Sequence, residues 1–127
     1  MSKNIVWGGM LAFCLLFAVS AQAQEKQEVS PIYRAGQVAV VAANLADIHS
    51  TMTGWNLGLH ETNPVIGTGN TGRLIGYKSL SIGINLTLMY MLKKTGHDKA
   101  AGWVGMAMSS YPAYAAIHNY RLNARVR

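Results

Sequence analysis

Residues 35–58 read AGQVAVVAANLADIHSTMTGWNLG. At about 1.5 Å per residue, a helix of this length crosses a bilayer. Its first half is mostly alanine and valine, with Asn44 near its end; its second half gathers Asp47, His49, Ser50, Thr51 and Thr53. Successive helical residues are about 100° apart, so Asn44, Asp47, Thr51, Gly54 and Gly58 fall on one narrow arc. His49 lies two positions beyond Asp47 and is turned about 160° from it, which keeps the two from chelating one ion off this helix. Small residues recur every four positions at Ala35, Ala39 and Ala43 and lead into Asp47 and Thr51. That ladder, with the Gly54 and Gly58 pair, predicts a face on which another helix approaches closely.

Two further apolar stretches follow. Residues 74–92, LIGYKSLSIGINLTLMYML, are closed by Lys93 and Lys94; residues 101–120, AGWVGMAMSSYPAYAAIHNY, are closed by Arg121. Each carries its own ladder of small residues, Ser79, Gly83 and Thr87 in one and Ala101, Gly105, Ser109 and Ala113 in the other. Trp55, Tyr77, Tyr90, Trp103 and Tyr120 lie near segment ends, where aromatic side chains meet lipid headgroups. Half of the residues are hydrophobic and 13% are charged, against about 25% charged in an ordinary soluble domain. The expected fold is therefore all-α: three transmembrane helices in a small bundle at 35–58, 74–92 and 101–120. Mean hydropathy is only +0.15, as expected when small and weakly polar residues line the packing faces.

The flanks have other roles. Residues 1–23, MSKNIVWGGMLAFCLLFAVSAQA, combine a positive start at Lys3, an apolar run and an Ala21-Gln22-Ala23 cleavage signature, the three parts of a secretory signal peptide. An uncleaved signal-anchor helix is the rival reading of this segment, and the apolar run is short for a span. Residues 24–34 form a polar lead-in and residues 121–127 a basic tail. The single cysteine, Cys14, falls in the signal, so cleavage leaves a mature chain with no thiol for a disulfide, a nucleophile or a metal site. The net charge is +6, yet the basic residues sit at segment edges instead of clustering on one face, which excludes a nucleic-acid partner. The expected location is the bacterial inner membrane with an exported N-terminus. Loop charges are tied at five on each side, so the signal alone sets the orientation.

The polar residues inside the spans are the candidate site. Asp47 is eleven residues from Gly58, and Asn85 is eleven residues from Leu74. Equal depth predicts a mid-membrane cluster of Asp47, Thr51 and Asn85 with Ser109 or Ser110 from the third span. A carboxylate there is costly unless paired or protonated, and by this count no cation shares its depth. Lys78, one turn into the second span, is better placed for Glu61 in the loop. Asn63-Pro64 marks a turn that ends the first helix nearby. Pro112 is expected to free a carbonyl near Met108 for a hydroxyl to satisfy.

Asp47-x-x-x-Thr51, then Glu61-x-Asn63-Pro64, then Lys78 opening the next apolar segment resembles a group of small three-helix prokaryotic membrane proteins of unknown function. The resemblance spans residues 36–120 and rests on these few positions. It implies architecture only and brings no activity, cofactor or substrate. The signal-like N-terminus is not part of the pattern.

No enzymatic motif stands out. His49 and His60 have no histidine at i+4, so no zinc motif exists, and there is no phosphate-binding loop or nucleophile elbow. The sequence therefore points to an integral membrane protein whose polar residues glue helices together. It would have no metal or cofactor, and its partners would be the lipid bilayer and another membrane protein or a homo-oligomer. The alternatives are an intramembrane proton- or ligand-binding site centred on Asp47 with Glu61, a membrane enzyme using Asp47, Glu61, His60 and His118, and a soluble periplasmic helical domain.

Overall fold

A computed structural model describes residues 29–126. The signal peptide and Cys14 lie outside the described residues. The described chain is three helices with no strand: α1 (Pro31–Asn56), α2 (Thr71–Lys94) and α3 (Asp98–Arg125). All three begin three or four residues earlier than the apolar stretches do, because cap and first-turn residues are largely polar and precede each apolar run. Ser30 accepts from the Tyr33 N–H at 3.3 Å with Pro31 at the first turn, and Asn70 accepts from the Arg73 N–H at 3.0 Å. Both arrangements satisfy amide donors that a helix start leaves unpaired. Asp98 instead places its charge in the first turn of α3, where the helix dipole favours it.

Two of the helix ends share one device. After α1 the Gly58 N–H donates to the Trp55 carbonyl and the Leu59 N–H to the Gly54 carbonyl, both at 3.0 Å. After α2 the Gly96 N–H reaches Lys93 at 2.9 Å and the His97 N–H reaches Leu92 at 3.0 Å. Gly58 and Gly96 have φ of +82° and +84°, which only glycine adopts without cost. Gly58 therefore terminates α1 and is not half of a packing pair, and the helix stops well before Asn63-Pro64. The third helix goes the other way. It runs through Pro112 and past Tyr120 to Arg125, so much of the expected basic tail is helix.

Helices α1 and α3 run parallel and form the centre of the fold. Their N-termini are tied by the Ser30 N–H, which donates to Asp98 Oδ2 at 3.2 Å. Beyond that tie the backbones touch. A Cβ on Gly36 would lie 2.5 Å from the Gly102 carbonyl oxygen, and one on Gly102 would strike the backbone of Ile32 and Tyr33. A Cβ on Gly105 would be 2.7 Å from the Met89 sulfur. Helix α2 runs antiparallel to both and leans on this pair, burying Leu74, Lys78 and Met89. The expected ladder Ser79, Gly83 and Thr87 does not pack, since nothing lies within reach of a Cβ on Gly83. One apolar cluster joins Tyr33, Val40, Met89 and Ala101, and another joins Ile48, Ile66 and Leu74.

Among the described residues, no helix is long and apolar enough to cross a membrane. Each is long, but α1 carries Asn44, Asp47, Ser50 and Thr51, and α2 carries Lys78 and Asn85. Those residues lower the apolarity of the helices that hold them.

The glycine contact gives a direct test. Gly102→Ala should destabilise the fold by about 1–3 kcal/mol, the usual cost of overpacking. Gly76, exposed on α2 with nothing near a Cβ, should instead gain about 0.5–1 kcal/mol on replacement by alanine. Denaturant unfolding followed by helical circular dichroism separates the two, and equal effects would remove the close approach as a constraint.

Candidate functional site

The two helix registers bring Asp47 to Lys78. Asp47 Oδ2 and Lys78 Nζ are 2.5 Å apart, with side chains 6% and 8% exposed. Asp47 Oδ1 accepts from Asn119 Nδ2 of α3 at 3.4 Å, so the carboxylate touches both other helices. The Asn119 amide also donates to Thr51 Oγ1 at 3.1 Å and Ser50 Oγ at 3.4 Å. One turn on, Asn123 Nδ2 donates to the Ser50 carbonyl at 2.9 Å. Asn44, Asp47, Ser50, Thr51, Lys78 and Asn123 are all buried. On the far side of this seam His49, exposed, meets Tyr120 with 2.8 Å between Nδ1 and the hydroxyl.

Beside the pair, the 57–70 loop is held by its own side chains. Glu61 Oε1 accepts from the Asn63 N–H at 2.9 Å and Asn63 Oδ1 from the Val65 N–H at 3.0 Å. Thr68 Oγ1 accepts from the Glu61 N–H at 2.7 Å. These bonds let aspartate-like side chains stand in for a backbone turn, with Pro64 in its middle. Ile66 is buried against Ile48 and Leu74 and pins the loop to α1 and α2.

Loop and helices enclose a cleft of about 510 Å³. Asp47, Lys78, Asn119 and Glu61 line it, as do Trp55 and Tyr77. Tyr111, Tyr114, His60 and His118 complete its mouth, with the Tyr114 and His118 rings stacked at 6.2 Å. Two lining residues have a buried polar atom with no hydrogen-bond partner: Trp55 Nε1 and Asn123 Oδ1. The Asn123 oxygen lies where a Cβ on Gly54 would come within 3.0 Å, so it rests on a glycine. Among the described residues, no group of three or more His, Cys, Asp or Glu side chains could hold a metal ion.

The expected polar residues are thus distributed differently. Asp47 and Thr51 meet, through Asn119. Lys78 pairs with Asp47 and not with Glu61, which supplies the cation that counting depth had left out. Asn85 is half-buried two turns further along α2, about 10 Å from the level of Lys78. Ser109 and Ser110 donate to the Met106 and Ala107 carbonyls of their own helix, each at 2.7 Å. Neither reaches Asp47, because parallel α1 and α3 match residue 47 with 119, ten positions beyond Ser109. Asn123 lies beyond the third apolar stretch, which ends at Tyr120, and Asn119 lies at its edge, far from the mid-span level at which the cluster is expected. They extend the face of Ser109 and Ala116 by whole helical turns, a signal that the sequence does contain.

No protein-family model, curated protein or solved structure matches the chain.

A buried pair is costly to break and cheap to replace whole. Lys78→Met and Asp47→Leu should each destabilise the fold by about 3–5 kcal/mol, and the double variant should recover most of that loss. A double-mutant cycle by chemical unfolding measures the coupling, and simple additivity would show that the pair does not act as a unit.

Proposed function

We propose that this chain is a small integral membrane protein whose interior polar residues hold three helices together. It would act as an accessory subunit beside another membrane protein or further copies of itself. The observation that carries this reading is a partly polar interior under an extensive apolar surface. Asp47, Lys78, Asn44, Thr51 and Asn123 are inside, while Leu80, Ile84, Leu88 and Met91 form an exposed apolar stripe along α2. Trp103, Tyr111, Tyr114 and Ile117 do the same on α3. Apolar surface of this extent marks contact with a membrane or a partner. In lipid, helices associate through small residues and interhelical polar contacts, as α1 and α3 do here.

Whole-helix apolarity falls short of what crossing requires. Packed together, however, the helices turn their polar residues away from lipid, and intramembrane charges are tolerated when they face the bundle interior in pairs. Basic residues mark both ends of the bundle, Arg34, Lys93, Lys94 and Lys99 at one and Arg73, Arg121 and Arg125 at the other. Export by residues 1–23 would deliver the bundle to the inner membrane. The likeness of Asp47-x-x-x-Thr51, Glu61-x-Asn63-Pro64 and Lys78 to small three-helix membrane proteins favours the same reading. A second reading, a ligand site at Asp47 and Glu61, is favoured by one observation: both acids line the same cleft.

Alkaline carbonate extraction of cells expressing the full chain tests the membrane assignment. The protein is expected in the pellet and in detergent extracts. Quantitative release into the supernatant would overturn the assignment in favour of a soluble exported helical domain.

A further inference from the structure

We propose that the cleft between α1, α3 and the 57–70 loop binds a small organic ammonium cation, methylated at nitrogen. This deepens the ligand-site reading and does not depend on membrane insertion, because the cleft is formed by the bundle itself. The charge of its lining is the first argument. Asp47 and Lys78 neutralise each other at 2.5 Å. Glu61 also lines the cleft and has no cationic partner among the described residues. Its Oε1 is engaged by the Asn63 N–H, which fixes the carboxylate in place. The two carboxylates and one ammonium of the lining, Asp47, Glu61 and Lys78, leave one negative charge in excess.

The walls are the second argument. Trp55, Tyr77, Tyr111 and Tyr114 all line the cleft, and Tyr111 and Tyr114 are 74% and 67% exposed. The Tyr111 and Tyr114 rings are not spent on the core. Aromatic faces attract cations, and they select methylated ammonium groups because such groups are weakly hydrated. One ring already does so within the protein: Lys78 Nζ lies 5.9 Å from the centroid of Tyr77. A volume of about 510 Å³ falls in the range of small-molecule sites. The cation could come free from solution or as the headgroup of a phosphatidylcholine-type lipid, since the recognised chemistry is the same.

Calorimetric titration of the purified full chain in maltoside micelles tests this, with choline as the probe. The comparison is 3,3-dimethylbutan-1-ol, which has the same shape without the charge. Saturable choline binding is expected, with about tenfold weaker binding of the neutral alcohol. Glu61→Gln keeps the oxygen that accepts from Asn63 and should weaken choline binding by about tenfold with unchanged helical circular dichroism. Tyr111→Leu, at an exposed ring, should weaken it several-fold. In phosphatidylglycerol nanodiscs, loss of choline binding on doping with phosphatidylcholine would assign the headgroup as the source, and unchanged binding the free cation. Equal binding of the alcohol, saturable binding of acetate in place of choline, or no saturable choline binding would each overturn the proposal. Carbonate extraction reads a different property, so failure of the membrane assignment is distinguishable from failure of this one.

Discussion

The contact of Gly36 with Gly102 and Gly105 sets the geometry of the whole molecule. At this point α1 and α3 touch backbone to backbone, and any Cβ would land on a carbonyl oxygen, a main-chain carbon or the Met89 side chain. Such an approach fixes both the distance and the register of two parallel helices. Once Gly36 is opposite Gly102, continuing along both helices brings Asp47 and Ser50 to Asn119 and Asn123. The hydrogen bonds at that level follow from the glycine contact about three to six turns away. Met89 of α2 packs into the same place, so the antiparallel helix is registered by it too, and Lys78 arrives at Asp47.

The ion pair is then best understood as a device of specificity. Removing two charges from water costs as much as, or more than, their attraction returns, and an apolar pair of similar volume is often as stable. What the pair does is exclude alternatives. Sliding α2 by one turn would leave a buried ammonium and a buried carboxylate unpaired, which is far worse than loss of an apolar contact. Since α2 buries only Leu74, Lys78 and Met89 outright, few apolar contacts compete with that constraint. Asn119 adds the third helix to the same carboxylate, so a single acid reports the placement of all three.

This arrangement also relates the interior to the surface. Polar side chains that serve the seams leave the outer faces free to be apolar, and the stripe from Leu80 to Met91 is the clearest case. At the Glu61 end the pattern changes. Tyr77, Tyr111 and Tyr114 stand exposed there, and a cleft lies beside the buried pair. Structure and chemistry thus divide along the length of the bundle, with glycine packing at one end and polar and aromatic side chains at the other.

Much of this was legible locally. Of the arc Asn44, Asp47, Thr51, Gly54 and Gly58, all but the exposed Gly58 are buried, and of the line Ala101, Gly105, Ser109 and Ala113 all but the half-buried Ala113, because helical periodicity depends only on the residues of one helix. The turn around Glu61, Asn63 and Pro64 was also visible, since side chains close such a turn within a few residues. Helix ends were less so: Ser30, Asn70 and Gly58 act through caps that look like loop until their partners are known. Depth counting failed to find the partner of Asp47. It assumed that spans align end to end, whereas glycine contacts and loop packing set the register, and these placed Lys78 where Asn85 was expected. The sequence by itself determined three helices, the inward arc of α1 around Asp47, and an acid too costly to leave alone in the interior. Only the tertiary structure decided which cation and which amides meet it, because register arises from contacts between residues far apart in the chain.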